Sequence, residues 1–350
     1  MKLFKLLAIA ICIFIVRSSF AQGKQAEPSP YDFNELTQKL AESKKELGKE
    51  FAALIYKDGK IVYDKKFGEI LDKKAIEPIN ASSQWLTAAL VMTYVDEGKL
   101  TLDTKIADYI PIYAKYGKSY ITIRHCLAHM TGIQAKKNTA GIIARSRFDK
   151  LEDEVNDYAK REIENNAGVD FWYSNMGPNI AARVLEIITK KSFDRLLTER
   201  IFRPLMMRGT AFNAEKAINP SGGASSSALD YLNFLIMLQN KGVFNGKKVL
   251  SEVAVAEMFT PQMTQSMVKY APKGTEGFDF GLGGIIQEKD ADGKATVVSS
   301  PSLYGTLAMI DLCRGYSFLI FTKELNDDSR KTFYADFKVS IDKVIGGECK

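Results

Sequence analysis

Apolar residues recur with a helical period in some stretches of this chain and alternate in others. The changes of period divide it. Residues 31–51 place Phe33, Leu36, Leu40 and Leu47 at helical spacing, which predicts one helix. Phe51–Tyr56 and Lys60–Phe67 then read as strands around Asp58-Gly59, a dipeptide that suits a two-residue hairpin. From Ile79 to Ala271 the pattern is mainly helical. Helices are expected over Trp85–Glu97, ended by Gly98, and over Ile123–Ala128, preceded by Thr122. Others are expected over Phe148–Asn165, Asn179–Thr189, Phe193–Phe202 and Ser227–Asn240. Asp230 lies in the first turn of the last, where the helix dipole favours an acid. The pattern returns to strands at Phe280–Gln287, Thr296–Ser300, Leu303–Asp311 and Tyr316–Thr322. A helix from Asp328 to Ile345 closes the chain.

Strands at both ends therefore bracket a helical block. The simplest assembly is an α/β (α+β) fold with one antiparallel sheet built from both chain ends. The terminal helices flank it, and the helical block is a large insertion. The expected division is 22–78 plus 272–350 for the sheet and 79–271 for the helices. Before them, Lys2 and Lys5 precede the apolar run Leu6–Val16, and Ser19-Phe20-Ala21 follows with small residues where a signal peptidase reads. Residues 1–21 thus read as a secretory signal cut near Ala21, and the protein as exported, periplasmic or secreted. The run is too short to cross a bilayer, and no later segment is long and apolar enough to do so. Ile11 before Cys12 argues against a lipid anchor. Gln22–Pro30 reads as a linker.

Composition narrows the chemistry. Of 350 residues, 46% are hydrophobic, which excludes general disorder. The 48 basic and 42 acidic residues become 45 and 42 once Lys2, Lys5 and Arg17 are removed, and the lysine pairs are scattered. That is a solvated surface, not a nucleic-acid stripe. Two histidines, with no HExxH, CxxC or Cys/His cluster, exclude a zinc or iron–sulfur enzyme, and no cofactor is expected. Of the three mature cysteines, Cys126 and Cys313 sit in apolar runs and read as buried hydrophobes, whereas Cys349 lies in a polar tail. An odd number leaves no complete disulfide framework.

Six stretches, in order, resemble the serine β-lactamase and penicillin-binding-protein-like family, in the branch of class C β-lactamases, esterases and DD-peptidases. They are Phe51–Gly68, Trp85–Leu102, Ile121–Ile133, Phe171–Glu186, Asn219–Asp230 and Ser300–Asp311. The resemblance implies acyl transfer. A serine at a helix start attacks a carbonyl, a lysine three residues later shares its proton with the tyrosine of a Tyr-x-Asn loop, and a Lys/His-x-Gly strand closes the pocket.

In that register both central groups are missing. Ala81 stands at the nucleophile position and Gln84 at the lysine position. Alanine offers no nucleophile, and a carboxamide exchanges no proton near neutral pH. Ser82 and Ser83 have Trp85 and Leu86 three residues on, so neither has an amine one helical turn away. Tyr173-Ser174-Asn175 matches Tyr-x-Asn in full. Without a nearby ammonium, Tyr173 is expected to keep a pKa of about 10. Ser300-Pro301-Ser302 replaces the basic strand motif, and the Leu303 and Ala81 amides would form the oxyanion pair.

Other motifs read as structural. Ser266-Met267-Val268-Lys269 fits Ser-x-x-Lys out of context. His125 and His129 are expected to bond nearby backbone at a helix end. Asp96-Glu97 and Glu152–Glu154 lie on solvated helix faces, and Gly222-Gly223 allows a tight turn. The expectation is an inactive homologue with a retained pocket for a small molecule or peptide, peptidoglycan-like or β-lactam-like. The alternative is an active hydrolase rearranged around Ser82 or Ser83 with Tyr173. A purely structural partner, its cleft filled by Ser302, Tyr304 and Trp172, is a third possibility.

Overall fold

The hairpin forms at Asp58-Gly59, where φ is 50° and 80°. It joins Phe51–Lys57 to Lys60–Phe67. Phe51–Lys57 pairs on its other side with Tyr316–Thr322, from Phe51 opposite Thr322 to Lys57 opposite Tyr316. The two ends of the chain thereby make one seven-stranded antiparallel sheet. Its order is Asp279–Phe280, Ile285–Lys289, Ala295–Ser299, Leu307–Asp311, Tyr316–Thr322, Phe51–Lys57, Lys60–Phe67. This computed structural model describes residues 30–135, 146–300, 306–323 and 330–349, with 330–334 described by backbone alone. The segment expected to be a secretory signal, Ser302, Leu303 and Tyr304 lie outside the described residues. Tyr31–Lys350 forms one compact unit.

Every residue of Tyr316–Thr322 is buried, because both faces of the sheet are covered. Phe51, Ala53, Ile55, Phe318 and Ile320 face a core shared with Leu36 and Leu40 of the first helix and Phe337 and Ile341 of the last. Ala52, Leu54, Leu319 and Phe321 face the core of the helical block. The period-two pattern thus serves two cores, each large apolar side chain contributing about 1.5–3 kcal/mol. At the centre of the block lies Ser83–Asp96, buried all round from Ser83 to Tyr94, as expected of a helix with no polar face. Among the described residues no helix is long and apolar enough to cross a membrane.

The departures have local causes. The first helix breaks into Asn34–Glu42 and Lys44–Leu47. The helix expected over Phe148–Asn165 is Leu151–Ala159, because Ile163 bridges Ile133 and Gln134 N–H bonds to Glu162 O. The strand expected over Phe280–Gln287 is interrupted at Gly281–Gly284. A Cβ at Gly283 would stand 2.8 Å from Gln84 O, and one at Gly284 2.3 Å from Trp85 Nε1. The ladder breaks where the chain abuts the start of the central helix. Short pairings within the helical block were not anticipated. Ala224–Ser226 lies between Glu77–Pro78 and Ala211–Phe212, and Phe171–Trp172 runs parallel to Val268–Tyr270.

The cysteine reading is corrected. Cys313 is exposed, not a buried hydrophobe, and it forms a disulfide with Cys349 across 36 residues of sequence. Its place in the turn between two strands brings it to the C-terminal tail. Cys126 is free and buried, as expected.

Candidate functional site

Asn80, with φ at 44°, turns the chain into the short 3₁₀ helix Asn80–Ser82, which leads directly into Ser83–Asp96. This entry places Ala81, Ser82, Ser83 and Gln84 in the molecule's interior, none more than 2% exposed. The turn at Asn219–Ala224 packs against it. Thr87 donates to Pro220 O at 2.6 Å, the Ala224 amide donates to Ser83 Oγ at 3.1 Å, and the Ile79 amide donates to Ala224 O at 2.9 Å. On the sheet side, the Ser300 hydroxyl donates to Ser82 Oγ at 2.7 Å, and Tyr231 donates to Ser82 O at 3.0 Å. Both serines of the alternative reading therefore have hydrogen-bond partners. Neither partner is a base: one is a backbone amide, the other a serine hydroxyl.

Tyr173 comes from the segment Phe171–Trp172 and its amide bonds Tyr270 O at 3.0 Å. Asn175, half-buried, precedes the helix Met176–Thr189. The Tyr-x-Asn motif thus lies where a strand passes into a helix. Tyr173 is almost completely buried, and burial pushes its pKa well above the ordinary tyrosine value. The expectation of a pKa near 10 is corrected in that direction. The cause is desolvation of the phenolate. The Gln84 carboxamide is close enough to pull the other way. Even so, neither Gln84 Nε2 nor the Tyr173 hydroxyl meets hydrogen-bond geometry with a partner among the described residues.

Residue 129 is a site neighbour that the sequence reading treated only as structural. The Ser174 amide donates to His129 Nδ1 at 3.4 Å. That contact puts the neutral ring's proton on Nε2, which donates to Gln84 Oε1 at 3.1 Å. The imidazole also packs on Tyr173, with centroids 4.6 Å apart. Burial lowers the His129 pKa to about 4, so the ring is neutral at pH 7. His129 thus links the Tyr173-Ser174-Asn175 loop to Gln84. The signal available in sequence was its place inside the family-like stretch Ile121–Ile133, but spacing alone shows no contact with residue 84. His125 behaves as expected. Its Nδ1 accepts from the Thr122 amide at 3.2 Å while Thr122 Oγ1 caps the His125 amide.

The remaining motifs stay outside this cluster. Lys269 lies in the strand Val268–Tyr270, not one helical turn from Ser266, and its ammonium is 3.8 Å from Asp170. Asp96 accepts from the Ser251 amide and hydroxyl, and Glu97 pairs with Arg200. Two open cavities of about 590 and 600 Å³ are lined by neither Ala81–Gln84 nor Tyr173, although the first borders the Asn219–Ala224 turn. One is lined by Phe212, Lys216, Asn219 and Gly223, the other by Asp96, Glu97, Arg200 and Lys248. The chemistry of the motif cluster, not cavity size, makes it the candidate site.

Residues 34–340 match the β-lactamase family model. Protein flp of Staphylococcus aureus (strain MW2) is 26% identical over 169 residues, 45% of this chain and 34% of flp. The match therefore spans about a third of that relative's length. The candidate penicillin-binding protein PbpX of Bacillus subtilis (strain 168) is 23% identical over 329 residues, 78% of this chain and 81% of PbpX. A crystal structure of a candidate β-lactamase from Bacteroides dorei DSM 17855 superposes with a TM-score of 0.80 at 22% identity, covering 90% of this chain and 99% of that one.

Proposed function

This chain belongs to the β-lactamase family, and we propose that it is a catalytically silent member, exported, that keeps the family's site as a binding pocket. The observation that carries the reading is Ala81 and Gln84 at the positions where the resemblance expects serine and lysine. Acyl transfer needs a nucleophile and a group that takes its proton. Ala81 has no hydroxyl. Gln84 spends its oxygen on His129 and cannot act as a base. The His129 lone pair receives the Ser174 amide, and Tyr173 holds its proton tightly. In serine triads, removing one member leaves only the residual catalysis of the oxyanion hole and binding, and here two roles are lost.

Export is supported by the N-terminal segment and by the Cys313–Cys349 bond, which suits an oxidising compartment. The ligand classes follow from the family: peptidoglycan-like peptides, β-lactams or other acylated small molecules. Incubation of the mature protein with a penicillin and with p-nitrophenyl acetate tests the reading by intact mass. The expected result is an unchanged mass with measurable reversible binding of a penicillin or an acyl-D-alanyl-D-alanine peptide. A stoichiometric acyl adduct overturns it. Loss of that adduct in Ser82→Ala or Ser83→Ala assigns the rearranged hydrolase instead.

A further inference from the structure

The two sulfurs of the Cys313–Cys349 bond have different surroundings. Cys313 sits in the turn between Leu307–Asp311 and Tyr316–Thr322 and is exposed, whereas Cys349 is half-buried in the tail. The Arg314 guanidinium donates from Nη1 to Cys349 Sγ at 3.1 Å, and among the described residues no donor meets Cys313 Sγ. Between the terminal helix and Cys349, Gly346 and Gly347 take φ of 70° and 91°, a bend that glycine makes without strain.

The other charges nearby do not reverse this difference. The Asp311 carboxylate lies within 4.8 Å of both sulfurs, so it disfavours a thiolate on either one alike. Arg314 Nη1 is also 3.1 Å from Asp311 and 3.4 Å from Asp342, which offsets part of its charge. Lys338 takes up both of those carboxylates, at 3.3 and 2.6 Å, and Glu288 at 3.3 Å. Lys57 donates to Arg314 O at 3.0 Å and pairs with Asp58. The carboxylates are thus paired, and among the described residues the guanidinium is the cation in contact with a sulfur.

We propose that Cys313–Cys349 is a site of directed thiol–disulfide exchange with a small-molecule thiol. The incoming thiolate bonds to Cys313 Sγ, the Cys313–Cys349 bond breaks, and its electron pair leaves on Cys349 Sγ beside Arg314. The sulfur of the small thiol is oxidised, that of Cys349 is reduced, and no other oxidant or reductant is needed. Exchange is faster at an accessible sulfur and with a better leaving thiolate, and both factors point the same way here. A disulfide sulfur is a weak acceptor whereas a thiolate is charged, so the Arg314 contact strengthens as the bond breaks. The products are a mixed disulfide on the exposed turn and a tail released from the charged cluster.

Glutathione is the probe. The folded protein is incubated with an excess of it near neutral pH and quenched at early times with N-ethylmaleimide, and the peptides are mapped by mass spectrometry. The expected result is glutathione on Cys313 with maleimide on Cys349, favoured over the reverse pattern by roughly tenfold or more. Equal labelling, or glutathione on Cys349, overturns the inference. So does an adduct that forms only in denaturant strong enough to unfold the protein. Arg314→Gln should slow the exchange about tenfold and erase the bias, and Arg314→Lys, which keeps the charge, should restore much of both. If Arg314 merely held the tail in place, its loss would loosen the bond's surroundings and speed the exchange. Faster or unchanged exchange in Arg314→Gln, in protein that its unfolding midpoint shows to be folded, therefore also overturns the inference.

Discussion

The Ser300 hydroxyl donates to Ser82 Oγ at 2.7 Å, joining the end of a sheet strand to the entry of the central helix across 218 residues of sequence. Both serines are at least 97% buried. This contact holds the sheet to the helical block beside the motif, and it occupies the hydroxyl that the rearranged-hydrolase reading would use.

Replacing either partner should therefore cost stability without changing chemistry. Ser300→Ala leaves Ser82 Oγ without its donor and should lower unfolding free energy by about 1–2 kcal/mol, and Ser82→Ala by a similar amount. The double variant should lose less than the two single losses combined, because they remove the same bond. Urea unfolding measures this. Background ester hydrolysis should be the same in all four proteins, and a drop confined to the Ser82 variants would return that serine to the catalytic role.

His129 should make the fold acid-sensitive. Burial holds its folded pKa near 4, whereas an unfolded histidine titrates at about 6.5. Between those values the unfolded chain binds a proton that the folded chain refuses, so stability falls as pH falls. Integrated over the window, the loss is about 3 kcal/mol. Above pH 6.5 this group adds no pH dependence. The stability difference between wild type and His129→Gln should shrink by about 2 kcal/mol from pH 7 to 4.5, the carboxylates cancelling in the comparison. Parallel profiles for the two proteins would show that His129 is not held neutral.

Much of this was legible in the sequence, and the parts that were not share a cause. Asp58-Gly59 and Thr122 act locally, within a turn of where they stand, and their roles were readable from neighbours alone, whereas the Asp230 carboxylate accepts from the Gly209 amide and the Thr210 hydroxyl about twenty residues away. The proposed double loss at Ala81 and Gln84 is a matter of residue identity in a register, so it could be put forward from sequence alone. The His129–Gln84 bond joins residues 45 apart, and the Phe280–Gln287 run breaks because Gly283 and Gly284 meet Gln84 and Trp85 from elsewhere in the chain. Spacing carries no trace of such contacts. Cys313 failed for the same reason. Its apolar neighbours signalled burial, while its partner lay 36 residues on.

The Cys313–Cys349 bond should matter for the terminal helix. Arg314, next to Cys313, bonds Asp311 and Cys349 Sγ and lies 3.4 Å from Asp342, which also pairs with Lys338. The bond thus ties the tail over a charged cluster at the end of that helix. Cys313→Ser with Cys349→Ser should cost about 2–4 kcal/mol, from the closed loop it releases in the unfolded chain. Urea unfolding measures the loss, and equal midpoints with and without the bond would show that the charged cluster holds the tail alone. Thiol titration of the native protein should find no reactive cysteine, and unfolding without reductant should expose Cys126 alone among the mature cysteines.

Restoring both missing groups tests how intact the site is. Ala81→Ser alone supplies a hydroxyl with no base, and Gln84→Lys alone supplies an amine with nothing to activate, so neither should form an adduct with a penicillin. Together, serine and lysine stand one helical turn apart on the same face, and the amine takes the place of a carboxamide that already faces Tyr173. Burial then favours the neutral amine, the form that accepts the serine proton. The double variant should accumulate a covalent penicilloyl adduct, read by intact mass, and adding Tyr173→Phe should slow it by roughly 10²-fold or more, the usual contribution of a positioned acid–base group. A double variant that folds, as judged by its unfolding midpoint, but gains no mass would show that the backbone around residue 81 no longer presents a substrate carbonyl to that position. Inactivity would then lie in the shape of the site as well as in its two side chains.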